Sequence, residues 1–171
     1  MAQTPFTIPE GSGDVILGYI RRKSAEWTAA QMIQRVQEGV AQLEAAANAV
    51  PMARLTVVPV GEEWSPLFCI KHVAEINMGT LNRCAAVAAT GALPEAPPPP
   101  VPVDRAGILA THAEVAANAF AAIAAAPEAG HAAVTWTHPL LGELNWREWL
   151  LTVRVHCLAH AGQLAGMTAK A

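Results

Sequence analysis

Apolar positions recur at intervals of three, four and seven through most of the chain, in runs separated by proline-rich breaks, which is the period of helices with one buried face. Ile16, Ile20 and Trp27, then Ile33, Val36, Val40, Leu43 and Ala47, predict a first helix from about Asp14 to Val50, stopped by Pro51. Gly18 and Gly39 each cost about 1 kcal/mol relative to alanine in a helix interior, so a kink or split is expected near Lys23 and Ser24. The second helix has the sharpest start, with Ser65 as a hydroxyl N-cap and Pro66 at N1; it should run to about Thr90, with Gly91 as its stop. Lys71, Glu75 and Asn82 mark its wet stripe, and Cys69, Val73, Ile76, Thr80 and Val87 lie opposite. A third helix begins with Asp104 as N-cap and ends before Pro127, with Ile108, Val115, Phe120 and Ile123 inward. The fourth follows Asn145-Trp-Arg-Glu148, in which Asn caps and Glu returns the bond, and continues to about Met167.

The connections carry their own signals. Leu55 to Gly61 is β-prone, but Pro59 and the lack of a partner strand make it an extended linker. Residues 91–103 hold a proline-rich, polyproline II spacer, read as a stiff crossover between two helices or, less plainly, as a PxxP ligand. Thr137 to Leu144 reads as loop. Four helices with one long connection predict an all-α fold, a four-helix bundle in which the crossover permits parallel neighbours. At 171 residues the chain makes one domain, 1–171, with 1–12 a flexible N-terminus.

Composition narrows the function classes. Alanine supplies about a fifth of the chain, so the 53% hydrophobic content overstates the burial available. A net charge of −3 excludes a basic stripe for gripping nucleic acid. The alanine-rich stretch Ala106 to Ala126 is interrupted by His112, Glu114 and Asn118, so no membrane span is expected. The opening residues show no secretory signal, which makes a cytoplasmic location the expectation. Cys69, Cys84 and Cys157, without CxxC spacing, read as small buried hydrophobes. Five tryptophans in an alanine-rich bundle leave room for a homodimer face.

Chemistry falls to the histidines, since no phosphate loop, GxSxG elbow or HExxH is present. His156 and His160 stand four apart, sharing a helix face with Trp149, Val153 and Gln163 and about 6 Å apart at Cβ. Two inward imidazoles need partners, because an unpaired buried polar group costs about 1–3 kcal/mol. One divalent metal would satisfy both, and so would a hydrogen-bonded polar layer. His72, flanked by apolar residues on the second helix, is the candidate third ligand; alone it reads as a core histidine bonded to backbone. His112 reads as a surface or edge residue, His131 as a loop residue, and His138, before Pro139, as bonding loop backbone or lining a pocket rim.

These residues resemble the DinB/YfiT-like superfamily of four-helix bundles. Glu63-Trp-Ser-Pro-Leu-Phe-Cys-Ile-Lys-His-Val-Ala-Glu75 is similar to that family's (E)WSxxExxxHxxD/E signature, with His72 at the first metal ligand. His138-Pro-Leu-Leu-Gly-Glu-Leu-Asn-Trp-Arg-Glu-Trp-Leu150 is similar to its HPxxGxLTxREWL segment, with Asn145 in place of Thr. His156-Cys-Leu-Ala-His160 with Gln163 falls on its HxxxHxxQ motif. The likeness covers roughly residues 14–167, with departures at Ile70 and Lys71 that remove no ligand. It implies a three-histidine site for zinc, nickel or a similar divalent ion with open positions. It also implies a small-molecule substrate, since relatives include thiol-dependent S-transferases and a mycothiol-dependent maleylpyruvate isomerase. The function so implied is transfer of a low-molecular-weight thiol to a small electrophile, or its hydrolysis, with Gln163 orienting substrate. The alternative is a non-catalytic bundle that binds a metal or a small molecule.

Overall fold

The computed structural model describes residues 12–169. Its helices start where side-chain acceptors meet unpaired backbone N–H groups. Two helices, α1 (Ser12–Glu26) and α2 (Ala29–Ala49), stand where the sequence predicts one. The break falls at Trp27 and Thr28, beyond Lys23 and Ser24, because Thr28 makes a full capping box. Its Oγ1 accepts from the Gln31 N–H at 3.2 Å, and Gln31 Oε1 accepts from the Thr28 N–H at 2.9 Å. α1 begins at Ser12, the last residue of the stretch read as a flexible N-terminus; residues 1–11 lie outside the described residues.

The three caps read from sequence hold. Ser65 Oγ accepts from the Phe68 N–H at 3.3 Å to start α3 (Pro66–Thr90), which Gly91 closes in the left-handed conformation at φ +74°. Asp104 Oδ1 accepts from the Gly107 N–H at 2.9 Å to start α4 (Arg105–Ala125). Asn145 Oδ1 accepts from the Arg147 and Glu148 N–H groups at 2.9 and 3.2 Å, and Glu148 returns a bond to the Asn145 N–H at 2.9 Å, to start α5 (Trp146–Ala169).

Helices α2, α3, α4 and α5 form the bundle, and α1 lies along α5. α3 and α4 run parallel: Asn77 meets His112, and Gly91 at the end of α3 meets His131 in the turn after α4. α5 runs against both, with Cys69 near the start of α3 facing His160, and Cys84 near its end donating to the Trp146 carbonyl. A parallel pair requires the chain to return the length of a helix. The 25 residues of α3 measure about 37 Å, and the proline-rich connection between Gly91 and Arg105 can reach roughly 40 Å at the rise of a polyproline II chain. Gly39 of α2 faces Arg154 of α5, where a Cβ would sit at van der Waals contact, 3.4 Å from the Arg154 carbonyl oxygen.

Three further readings change. Ile76, placed on the buried side by periodicity, is 50% exposed. The segment read as loop is a β-hairpin of β1 (Thr135–His138) and β2 (Gly142–Asn145), with His138 opposite Gly142. Glu143 ties it together by accepting from both Thr135 and Thr137 hydroxyls, while Gly142 at φ +75° completes its tight loop. α4 has the length and apolar composition of a membrane span, yet it packs along α3 with Ile108, His112, Phe120 and Ile123 buried.

Arg147 joins these parts. Its guanidinium donates to the Ser24 and Trp27 carbonyls at 3.0 and 2.5 Å, closing the end of α1, and to the Glu128 carboxylate at 3.1 Å. Glu128 in turn accepts from the Ala29 N–H at 2.6 Å, at the start of α2. Removing a cap tests the local account most directly: Ser65→Ala should lower stability by about 1 kcal/mol, read as a lower urea midpoint with unchanged helical circular dichroism.

Candidate metal centre

α3 and α5 pack antiparallel, so residues early in α3 meet residues late in α5. That contact brings together the three histidines named from sequence. One ring nitrogen from each of His72, His156 and His160 lies within 4.8 Å of those from the other two. The rings are edge-on to one another, with centroids 4.6 Å apart for His156 and His160, and 5.4 and 5.5 Å from His72 to each. Trp64, from the linker before α3, covers them, stacked 6.0 Å from His160 and 4.7 Å from the His72 ring.

Burial sets the charge state. Desolvation pushes His156 down to about 3, with His160 and His72 beside it acting in the same direction. Desolvation also pushes His160 down to about 4, partly offset by its bond to Gln163. His72 is lowered for the same reason, opposed by the charge of Glu75. All three rings are therefore neutral at pH 7, the form in which imidazole ligates.

Amide oxygens face the other side of the two α5 rings. Asn77 Oδ1 lies 3.0 Å from His156 Nδ1, and Gln163 Oε1 lies 2.8 Å from His160 Nδ1. An amide oxygen only accepts, so Nδ1 carries the proton in each ring and the lone pair is on Nε2. This is the arrangement that orients metal-binding histidines elsewhere. Neutral, grouped and oriented imidazoles fit a divalent transition ion. Each amide is also tied to a cysteine: Asn77 Nδ2 donates to Cys157 Sγ at 3.1 Å, and Cys69 Sγ donates to Gln163 Oε1 at 3.6 Å. Burial raises both thiols to about 12, so they serve as buried partners and not as nucleophiles.

His112 is not at the surface or an edge. It is 3% exposed, with Nε2 3.4 Å from Asn77 Nδ2 and desolvation pushing it down to about 4. Thr111 and Glu114 beside it give the sequence there the look of a wet face. His131 packs against Gly91, away from the cluster. His138 accepts from the Leu140 and Leu141 N–H groups at 3.1 and 3.2 Å, the backbone role expected of it, and its ring lies 4.8 Å from Trp149. Sequence reading overlooked Asn77, five residues after His72 between Ile76 and Met78, and Glu62, whose charge is felt at Cys69.

The depressed values carry a sign for stability. Between pH 6.5 and about 4 the unfolded chain takes up a proton that folded His112 refuses. Stability should be full above pH 6.5 and fall as the pH drops through that window, with His156 and His160 adding to the slope. Urea midpoints measured from pH 7 to 4.5 should decline, and decline less steeply in His112→Phe.

Comparison with known proteins agrees with this architecture. No curated protein shows significant similarity to the chain. Among solved structures, TT2238, described as a four-helix bundle protein, superposes with a TM-score of 0.58 at 23% identity, over 81% of this chain and 99% of that one. A mutant of a mycothiol-dependent maleylpyruvate isomerase superposes with a TM-score of 0.61 at 18% identity, over 83% of this chain and 62% of the isomerase. At such identities the likeness establishes the fold. A family model of the DinB superfamily matches residues 35–164, which take in most of α2, all of α3 and α4, and α5 as far as Leu164, and so include His72, His156, His160 and Gln163; the chain belongs to the DinB superfamily.

Proposed function

We propose that this protein is a metal-dependent enzyme that activates a low-molecular-weight thiol, or water, for attack on a small electrophile. The observation that carries this reading is the convergence of three neutral ring nitrogens within 4.8 Å, two of them oriented from behind by amide oxygens. The mycothiol dependence of the structurally similar isomerase supports a thiol as the co-substrate. His72, His156 and His160 would hold the ion, with zinc or nickel best matched to imidazole donors. When bound, such an ion supplies a Lewis acid that lowers the pKa of a thiol or water. Trp64, at 5% exposure, shields one side of the rings from water. Gln163 engages His160 and Cys69 through Oε1, which gives its amide Nε2 the task of orienting substrate.

A second reading, a bundle that holds an ion without catalysis, draws on the groups that face His156 Nδ1 and His160 Nδ1, which are amide oxygens that accept a hydrogen bond but take up no proton as a general base would. Turnover separates the two. The metal-loaded protein should join thiols to reactive electrophiles, and loss of activity on chelation with recovery on zinc or nickel addition supports the enzyme. Stoichiometric metal with no thiol binding and no turnover supports the binding module.

Two outcomes follow for variants and pH. His72→Ala, His156→Ala and His160→Ala should each lose bound metal by elemental analysis while His131→Ala keeps it, and Gln163→Ala should lower turnover more than metal content. An unperturbed histidine near pH 6.5 would make binding weaken below that value. Burial already holds His156 and His160 neutral well below it and lowers His72 in the same direction, so zinc affinity should fall less between about pH 7.5 and 5.5 than it would for three unperturbed histidines.

A further inference from the structure

The core between α3, α4 and α5 contains a polar group that packing does not call for. Asn77 is 1% exposed and His112 is 3% exposed, and apolar residues of similar volume would fill both places. The amide of Asn77 makes three contacts, one with each of three side chains on two other helices. Nδ2 donates to Cys157 Sγ at 3.1 Å and faces His112 Nε2 at 3.4 Å, while Oδ1 faces His156 Nδ1 at 3.0 Å. Both N–H directions are therefore used on the side away from the cluster, and only the oxygen is turned towards His156. The reverse orientation would require His156 to carry its proton on Nε2, pointing an N–H among the rings of His72 and His160, whose centroids lie 5.4 and 4.6 Å away.

We propose that Asn77 is the positioning residue of the histidine cluster. Anchored from behind by His112 and Cys157, it holds the proton on His156 Nδ1 and so directs the Nε2 lone pair of that ring into the cluster. His112 acts through Asn77: with its own proton on Nδ1, its Nε2 accepts from the amide and prevents it from turning over. α4, which contributes no ring to the cluster, is in this way coupled to it. The inference rests on the metal-binding reading for its purpose, but not for its geometry, and the two can be tested separately.

The experiment uses the full chain labelled with 15N-histidine. In the metal-free protein at pH 7, long-range proton–nitrogen spectra should show His156 protonated on Nδ1. Asn77→Leu should move that proton to Nε2 or divide it between the two nitrogens, whereas Asn77→Asp, which keeps an acceptor, should leave it on Nδ1. Zinc affinity, measured by competition with a chelator, should fall roughly 10- to 100-fold in Asn77→Leu and stay within a few-fold of the parent in Asn77→Asp. His112→Phe, which frees the amide to rotate, gives a second route to the same mixture of tautomers should Asn77→Leu fail to fold. A proton found on Nε2 of His156 in the parent protein overturns the proposal, as does equal zinc affinity in the Leu and Asp variants. If the parent binds no zinc while His156 carries its proton on Nδ1, the metal reading fails and the role of Asn77 stands.

Discussion

Everything at the centre of this bundle follows from the cost of placing imidazoles where water does not reach. A buried ring is neutral, and a neutral ring has one nitrogen that donates and one that accepts, so its surroundings must supply the matching groups. The antiparallel seam of α3 and α5 meets this demand with two amides, Asn77 and Gln163, each steadied by a cysteine that burial keeps protonated at neutral pH. Polar atoms in the seam are thereby arranged as a layer with a direction: amide oxygens outermost, protonated nitrogens next, lone pairs facing one another in the middle.

The features legible in the sequence are those whose signals are local. Ser65 and Pro66, Asp104, and Asn145 with Glu148 announce helix starts because a cap is a short-range bond between neighbours in the chain. His156 and His160 are visible because helical spacing puts them on one face. His72 is a candidate from its apolar flanks and from the third ligand that the pair calls for, and the family's motif falls on it, although nothing local reports a contact between α3 and α5.

What sequence reading missed depends on contacts between distant segments. The hairpin was hidden because its strands are only four residues each and are held by Glu143 reaching across to two threonines. The break after Trp27 rests partly on Arg147, from the far end of the chain. His112 reads as an outer residue because Thr111 and Glu114 stand beside it in the sequence, whereas the Asn77 amide that meets it comes from another helix. Asn77 carried no flag, because an amide gains its meaning from what surrounds it.

The proline-rich return between α3 and α4 bears on how the bundle forms. A parallel pair of helices normally pays for its long connection in lost chain entropy, since a flexible segment must be drawn out along a full helix length. Here the prolines fix φ before folding begins, so the unfolded segment already resembles the strap it becomes and has fewer conformations to surrender. The docking of α4, and with it the placing of His112 behind Asn77, is favoured by stiffness in the unfolded chain in addition to the contacts that the strap makes once folded, Val101 against the core and the Ala96 carbonyl accepting from Asn82.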